Sequence, residues 1–270
     1  MSFLNKNPHL IKEVIEISEH AGKSILEIYN NSNLDFQLKE DQSPLTEADI
    51  SSHKIIVKRL RKLTPKLPIL SEEESYIPFS VRSKWDQYWL IDPLDGTKEF
   101  IKKNGEFTVN IALMKNNAPV FGVINIPVKK QTYWGSEDLG SYLQKDNHKP
   151  ERINVDDKNN EKIRILTSRS HGGNEDLILT KIKNYEVIMA GSSLKFCLIA
   201  SGEADAYIRM GPTSEWDIAA GEAIIKCAGG IMIDLQHKNI AYNKGESLIN
   251  PPFLVASNQS VANKILNIIN

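Results

Sequence analysis

Trp89-Leu90-Ile91-Asp92-Pro93-Leu94-Asp95-Gly96-Thr97 brings two carboxylates, three positions apart, to the end of an apolar run. Trp89-Leu90-Ile91 shows no alternation of polar and apolar residues, as expected of a strand buried on both faces. Pro93 fixes the backbone between the aspartates, and Gly96 permits a tight turn into a short helix beginning near Thr97. An Asp-Gly pair alone is an ordinary hairpin turn with a solvated Asp92. The buried strand before it changes that reading, because paired buried carboxylates need a compensating cation. Oxygen donors with no His or Cys nearby favour Mg²⁺ or Mn²⁺ over zinc.

Upstream, apolar positions recur at helical spacing from Pro8 to Tyr29 and from Leu45 to Leu63. Pro65 and Pro68 end the second helix, and a short strand, Ile69-Leu70, leads into Glu72-Glu73-Glu74. Downstream, Phe107 to Met114, Val120 to Ile126, Thr132 to Trp134 and Tyr142-Leu143 read as a meander separated by Asn-, Pro- and Gly-containing turns. The chain turns polar between Lys145 and Lys162, which suggests two lobes, residues 1–150 and 151–270. Beyond it, strands at Ile163–Leu166, Glu186–Met189, Ala206–Ile208 and Ile231–Asp234 alternate with helices near Asp176–Ile182, Ser193–Ser201 and Asp217–Ala228, an α/β pattern.

Two further acidic sites suit a cation, Glu72-Glu73 and Asp217, and each, like Asp49, has an ordinary reading. Glu72 and Glu73 follow an apolar strand and could point inward, or they belong to a solvated charge run. Asp217, within Glu215-Trp216-Asp217-Ile218-Ala219-Ala220-Gly221, serves equally as a first-turn complement to a helix dipole. Asp49, within Ser43-Pro44-Leu45-Thr46-Glu47-Ala48-Asp49, reads alone as a first-turn charge.

The 33 Lys and Arg nearly balance the 34 Asp and Glu, so no excess positive charge is available to track a nucleic-acid duplex. Cys197 and Cys227 sit in apolar helical stretches and read as buried reduced thiols. No signal-length or bilayer-length apolar run is present, so the expected location is the cytoplasm, with peripheral contact to the inner membrane left open.

Together, Thr46-Glu47-Ala48-Asp49, Ser71-Glu72-Glu73-Glu74, Asp92 to Thr97 and Trp216 to Gly221 resemble, in order and spacing, the motifs of the inositol-monophosphatase superfamily. The stretches 92–113 and 191–205 look like its branch of 3′(2′),5′-bisphosphate nucleotidases. The resemblance covers about Ile11 to Phe253. It implies a layered αβαβα sandwich with metal between two lobes. It implies Glu72, Asp92, Asp95, Asp217 and the Leu94 carbonyl as ligands to two or three Mg²⁺ ions, with Glu73 in the outer sphere or on a third ion. Asp49 and Thr97 would activate water, and Gly96 and Thr97 would offer N–H groups to the phosphate. Leu94, Asp95 and Asp217 would also border the substrate. Gly191-Ser192-Ser193 would line a nucleotide site, with Lys195 and Arg209 meeting a second phosphate, although Gly-Ser-Ser also reads as an ordinary helix start. Ser168-Arg169-Ser170-His171 is a further loop in reach, and His171 also reads as a surface residue.

The implied activity is hydrolysis of the 3′-phosphate of adenosine 3′,5′-bisphosphate, with its 5′-phosphosulfate relative left open as an alternative or additional substrate. An inositol or sugar phosphatase would share the metal motif. A non-catalytic nucleotide- or metal-binding protein could keep the carboxylates but would not need both Asp49 and Thr97. Oligomeric state is not encoded in any of these motifs.

Overall fold

The computed structural model describes residues 8–30, 36–38, 44–158, 161–169 and 178–269. Its first layer is two helices, α1 (Pro8–Tyr29) and α2 (Glu47–Leu63). α2 begins two residues later than the periodicity suggests. Pro44–Thr46 is extended and pairs with Phe36–Leu38, and Thr46 caps the helix by accepting the Ala48 N–H at 3.2 Å.

The second layer is a seven-stranded sheet: β3 (Ile69–Ser71), β4 (Gln87–Asp95), β5 (Thr108–Lys115), β6 (Ala118–Ile126), β7 (Gln131–Ser136), β8 (Gly140–Lys145) and β9 (Glu151–Ile153), adjacent in that order, with Phe36–Leu38 and Pro44–Thr46 taken as β1 and β2. Only β3 and β4 run parallel. In β4 the side chains divide by the two-residue period: Trp89 and Ile91 enter the core under α1 and α2, while Tyr88 and Leu90 enter the core on the opposite face. That double burial is why the strand reads as unbroken apolar sequence. The strand extends further than expected, through Asp95, with its register shifting between Asp92 and Asp95. β9 lies in the stretch expected to be a polar connection, and carries the first sheet to Ile153, three residues past the expected lobe boundary.

A middle helical layer, α5 (Leu194–Ala200) and α6 (Glu215–Cys227), packs between this sheet and a second one. The second sheet has the order β11 (Tyr185–Ala190), β10 (Ile163–Ser168), β12 (Ala206–Arg209), β14 (Phe253–Ala256), β13 (Ile231–Asp234), parallel among the first three and antiparallel thereafter. β14 and the terminal helix α7 (Gln259–Ile269), which covers the outer face, were not apparent from the sequence pattern. The helix expected near Asp176–Ile182 lies partly outside the described residues. A short α3 (Phe79–Arg82) and α4 (Thr97–Ile101) complete the helices named here. These layers form the αβαβα sandwich that the motifs imply.

α6 sits unusually close to the first sheet. A Cβ at Gly122 would lie 2.4 Å from the Ala220 carbonyl, and one at Gly135 would lie 2.8 Å from the Ile224 Cα. The absent side chains therefore set the depth at which α6 is held. Cys197 is buried, Cys227 is half-buried, and both are free thiols. No helix among the described residues is long and apolar enough to cross a membrane.

Candidate active site

The acidic residues converge where the C-terminal end of β4 meets the start of α6. Asp92 is 1% exposed, and the Leu94 N–H donates to its Oδ1 at 3.1 Å. Burial pushes the Asp92 carboxyl well above its ordinary pKa, and the neighbouring charges of Glu72, Asp95 and Asp217 push in the same direction. Asp217 is raised for the same reasons, first desolvation, then Asp95 and Glu72. Its place as third residue of α6 also fulfils the ordinary reading, because the Ser214 N–H donates to its Oδ2 at 2.8 Å. One carboxylate thus completes the helix start and faces the others.

Asp95 is held from the second half of the chain. The Ser193 N–H and hydroxyl both lie 2.6 Å from its Oδ2, and the Ser192 hydroxyl lies 2.7 Å from the same atom. Ser193 also contacts the Asp217 carbonyl at 2.8 Å and accepts from Asn110 Nδ2 at 2.9 Å. Ser193 thereby joins the elements that carry Asp95 and Asp217, and Ser192 adds to the hold on Asp95, a task that their reading as nucleotide contacts did not anticipate. Gly96 has φ +89°, and a Cβ there would meet Ser192 at 3.1 Å, so the Asp-Gly turn is fitted against this segment. Gly191 is anchored by Glu106, whose Oε2 accepts its N–H at 2.8 Å and whose carboxylate takes Arg169 through two donors at 2.8 and 2.9 Å. Glu106 falls within the motif stretch, yet nothing in the sequence distinguishes it from a surface charge.

Asp49 is 1% exposed. Its Oδ2 accepts the Thr46 N–H at 2.8 Å and the Thr46 hydroxyl at 2.5 Å, while its Oδ1 accepts the Thr97 hydroxyl at 3.2 Å. Thr97 Oγ1 also lies 3.4 Å from the Leu94 carbonyl. Asp49 is therefore fixed by the cap of α2 and aimed at Thr97, beyond a plain first-turn role. Glu72 and Glu73, both half-buried, form a 3₁₀ turn after β3.

A cleft of about 250 Å³ opens beside these groups. Asp95, Gly96, Thr97, Ser168, Asp217, Lys195 and Arg209 are among the residues that line it. Lys195 Nζ donates to the Ser192 and Ala190 carbonyls at 2.8 and 3.2 Å, and burial lowers its pKa to about 8. Arg209 is 8% exposed, donates through Nη2 to the Pro212 carbonyl at 3.2 Å, and has no hydrogen-bond partner for its buried Nε. Ser170 and His171 lie outside the described residues.

The donor set suits a hard divalent cation: all oxygen, desolvated, and mutually repelling without added positive charge. Among the described residues no group of three or more His, Cys, Asp or Glu side chains is arranged to hold a metal ion as it stands. Asp95 and Asp217 line the cleft, and Asp92 is buried beside them.

A family model described as "Inositol monophosphatase family" matches residues 7–269. The chain is 44% identical over 248 residues to the 3′(2′),5′-bisphosphate nucleotidase CysQ of Salmonella typhimurium, covering 91% of this chain and 99% of the relative. It is 42% identical to the protein of the same name from Escherichia coli K12, covering 92% and 99%. The crystal structure of CysQ from Bacteroides thetaiotaomicron superposes with a TM-score of 0.80 at 41% identity, covering 92% of this chain and 97% of that one.

Proposed function

The chain belongs to the inositol monophosphatase family, and from that premise we propose that it is a Mg²⁺-dependent 3′(2′),5′-bisphosphate nucleotidase, releasing the 3′-phosphate of adenosine 3′,5′-bisphosphate. The observation that carries this reading is one cleft lined both by Asp95, Thr97 and Asp217 and by Arg209 and Lys195. The first group suits a metal-held phosphate, and the second offers cations to another. The names of the relatives at 44% and 42% identity point the same way.

In this reading Glu72, Asp92, Asp95, Asp217 and the Leu94 carbonyl hold two or three Mg²⁺ ions, with Glu73 beside them. When bound, those ions offset the charge of carboxylates and phosphate and acidify water. Thr97 positions the attacking water. As the water oxygen bonds to phosphorus, its proton passes to Thr97 Oγ1 while the Thr97 proton moves to Asp49 Oδ1. The P–O3′ bond breaks in line, and the departing ribose oxygen takes a proton from solvent. The Gly96 and Thr97 N–H groups, at the start of α4, orient the phosphate. Ser192 and Ser193 hold Asp95 toward it, Gly191 anchors their segment on Glu106 at the edge of the nucleotide site, and Arg209 and Lys195 receive the non-reacting 5′-phosphate. No covalent phosphoenzyme is needed.

The chain's two lobes, 1–150 and 151–270, would then contribute most metal ligands and the nucleotide-facing segment respectively. Phosphate release with Mg²⁺ should be measured side by side on adenosine 3′,5′-bisphosphate, inositol 1-phosphate and fructose 1,6-bisphosphate. A preference for the nucleotide is expected. A preference for either sugar phosphate would overturn the substrate assignment and leave the phosphatase chemistry standing.

A further inference from the structure

At the start of α6 lies a buried polar knot that no motif includes. Arg82, at the end of α3, is 1% exposed and uses its whole guanidinium. Nε donates to the Ile77 carbonyl at 2.7 Å, Nη1 to Asn243 Oδ1 at 2.6 Å, and Nη2 to the Gly245 and Glu246 carbonyls at 3.1 and 3.2 Å. Asn243 returns a bond from Nδ2 to the Arg82 carbonyl at 2.8 Å, and its own N–H donates to Glu215 Oε1 at 2.8 Å. Asn243 is 2% exposed and has φ +48°, a conformation Asn tolerates better than most residues. Glu215 is 2% exposed and opens α6.

The knot touches the elements that deliver the acidic residues. Arg82 and Ile77 belong to the segment that follows Glu72 and Glu73. Glu215 stands two residues before Asp217. Tyr88, on the strand that ends in Asp92 and Asp95, lies close enough for the Glu215 charge to bear on its hydroxyl. Burying a guanidinium and a carboxylate is costly, and apolar residues of similar volume would give a core of comparable stability. What apolar packing does not give is directional fixing of three backbones to one another.

We propose that Arg82 and Asn243 are positioning residues that fix the spacing between Glu72 and Asp217, and thereby the affinity of the site for divalent cations. The proposal rests on the reading that these carboxylates hold metal. Groups bonded directly to metal ligands typically change affinity ten- to a hundredfold when removed. Among the described residues Arg82 and Asn243 bond to no ligand and act through Glu215 and the segment after Glu73, so their effect should lie at or below the lower end of that range.

The test is calorimetric titration of the intact, nucleotide-free protein with Mg²⁺ and Mn²⁺, well below the melting temperature of each variant. Arg82→Lys keeps the charge and loses the fork. Asn243→Gly loses the amide while keeping the backbone conformation and the N–H to Glu215. Arg164→Lys is the control, because Arg164 anchors another polar knot, on Asp205 and Asp156 at 2.7 and 2.9 Å, in the second sheet. The expected result is a cation affinity weaker by up to about tenfold in the first two variants, the lower end of the range for directly bonded partners, with the control lowered in Tm and unchanged in affinity. If all three lose Tm while their isotherms superimpose on the parent, the knot serves stability alone and the proposal is overturned. Asp217→Asn, titrated alongside, separates the two failures: an unchanged isotherm there overturns the metal assignment, and the positioning role with it.

Discussion

Thr97 donates its hydroxyl to Asp49 Oδ1 across 3.2 Å, joining the start of α4 to the capped first turn of α2. The same carboxylate accepts from the Thr46 N–H and hydroxyl, so it is held before any substrate arrives. Thr97→Ala and Asp49→Asn should each lower kcat by about a hundredfold, within the range for lost general-base positioning. The double variant should be little worse than either single one, since the pair acts as a unit. Losses that multiply would show two separate proton paths.

Metal dependence should follow the oxygen-only donor set. Activity should vanish in EDTA and return with Mg²⁺, whereas Ca²⁺, larger and tolerant of irregular coordination, should inhibit. Full phosphate release after dialysis against EDTA would contradict the ligand assignment.

Arg209 presents the stronger test of a nucleotide substrate, because its Nε is buried without a partner while Lys195 already binds two carbonyls. Arg209→Ala should cost about ten- to a hundredfold in kcat/KM for adenosine 3′,5′-bisphosphate, the worth of one charge-assisted contact at roughly 1.5–3 kcal/mol. It should cost far less for adenosine 3′-monophosphate. Equal losses on both would make the arginine a support of the fold or of the metal site.

Lys195 should leave a signature in stability. Burial lowers its pKa to about 8 from the ordinary 10.5, so between those values the unfolded chain carries a proton that the folded chain has released. Folding stability from this group therefore rises with pH across that window, and below it the buried charge is a cost. Lys195→Met, compared with the parent by denaturant unfolding at about pH 7 and about pH 10, should show its larger relative gain at the lower pH. A difference independent of pH would mean that the ammonium is not depressed.

Gly122→Ala should force α6 away from the first sheet, since its Cβ would sit 2.4 Å from the Ala220 carbonyl. Overpacking of this kind costs about 1–3 kcal/mol. Because Asp217 rides on α6, kcat should fall even at temperatures where the variant is fully folded. Unchanged turnover would show that the sheet relaxes in place of the helix.

What the sequence displayed most clearly were features in which one short stretch carries its own physics. The uniform apolarity of Trp89-Leu90-Ile91 follows from cores on both faces, and Asp92 and Asp95 sit where it delivers them. Other features depend on partners far along the chain. Glu106 resembles any loop carboxylate until Gly191 and Arg169 are brought to it. Arg82 and Asn243 are 161 positions apart, and no local periodicity links them. β14 is only four residues long, too short for a clear period, yet it lies between β12 and β13 and anchors both. The start of α2 was misjudged because Leu45 continues the apolar pattern although the backbone before Thr46 is extended.

The placement of α6 also bears on how substrate gets in. Its apolar residues share one continuous core with β4, β5 and β6 on one side and with β12 and β14 on the other. A molecule assembled this way has a keel where a clamshell has a hinge. Its halves cannot swing apart without tearing the layer common to both, and access to the cleft is left to side chains and loops at the rim. Catalytic geometry and global cohesion thus draw on the same helix, and a change that loosens one will register in the other.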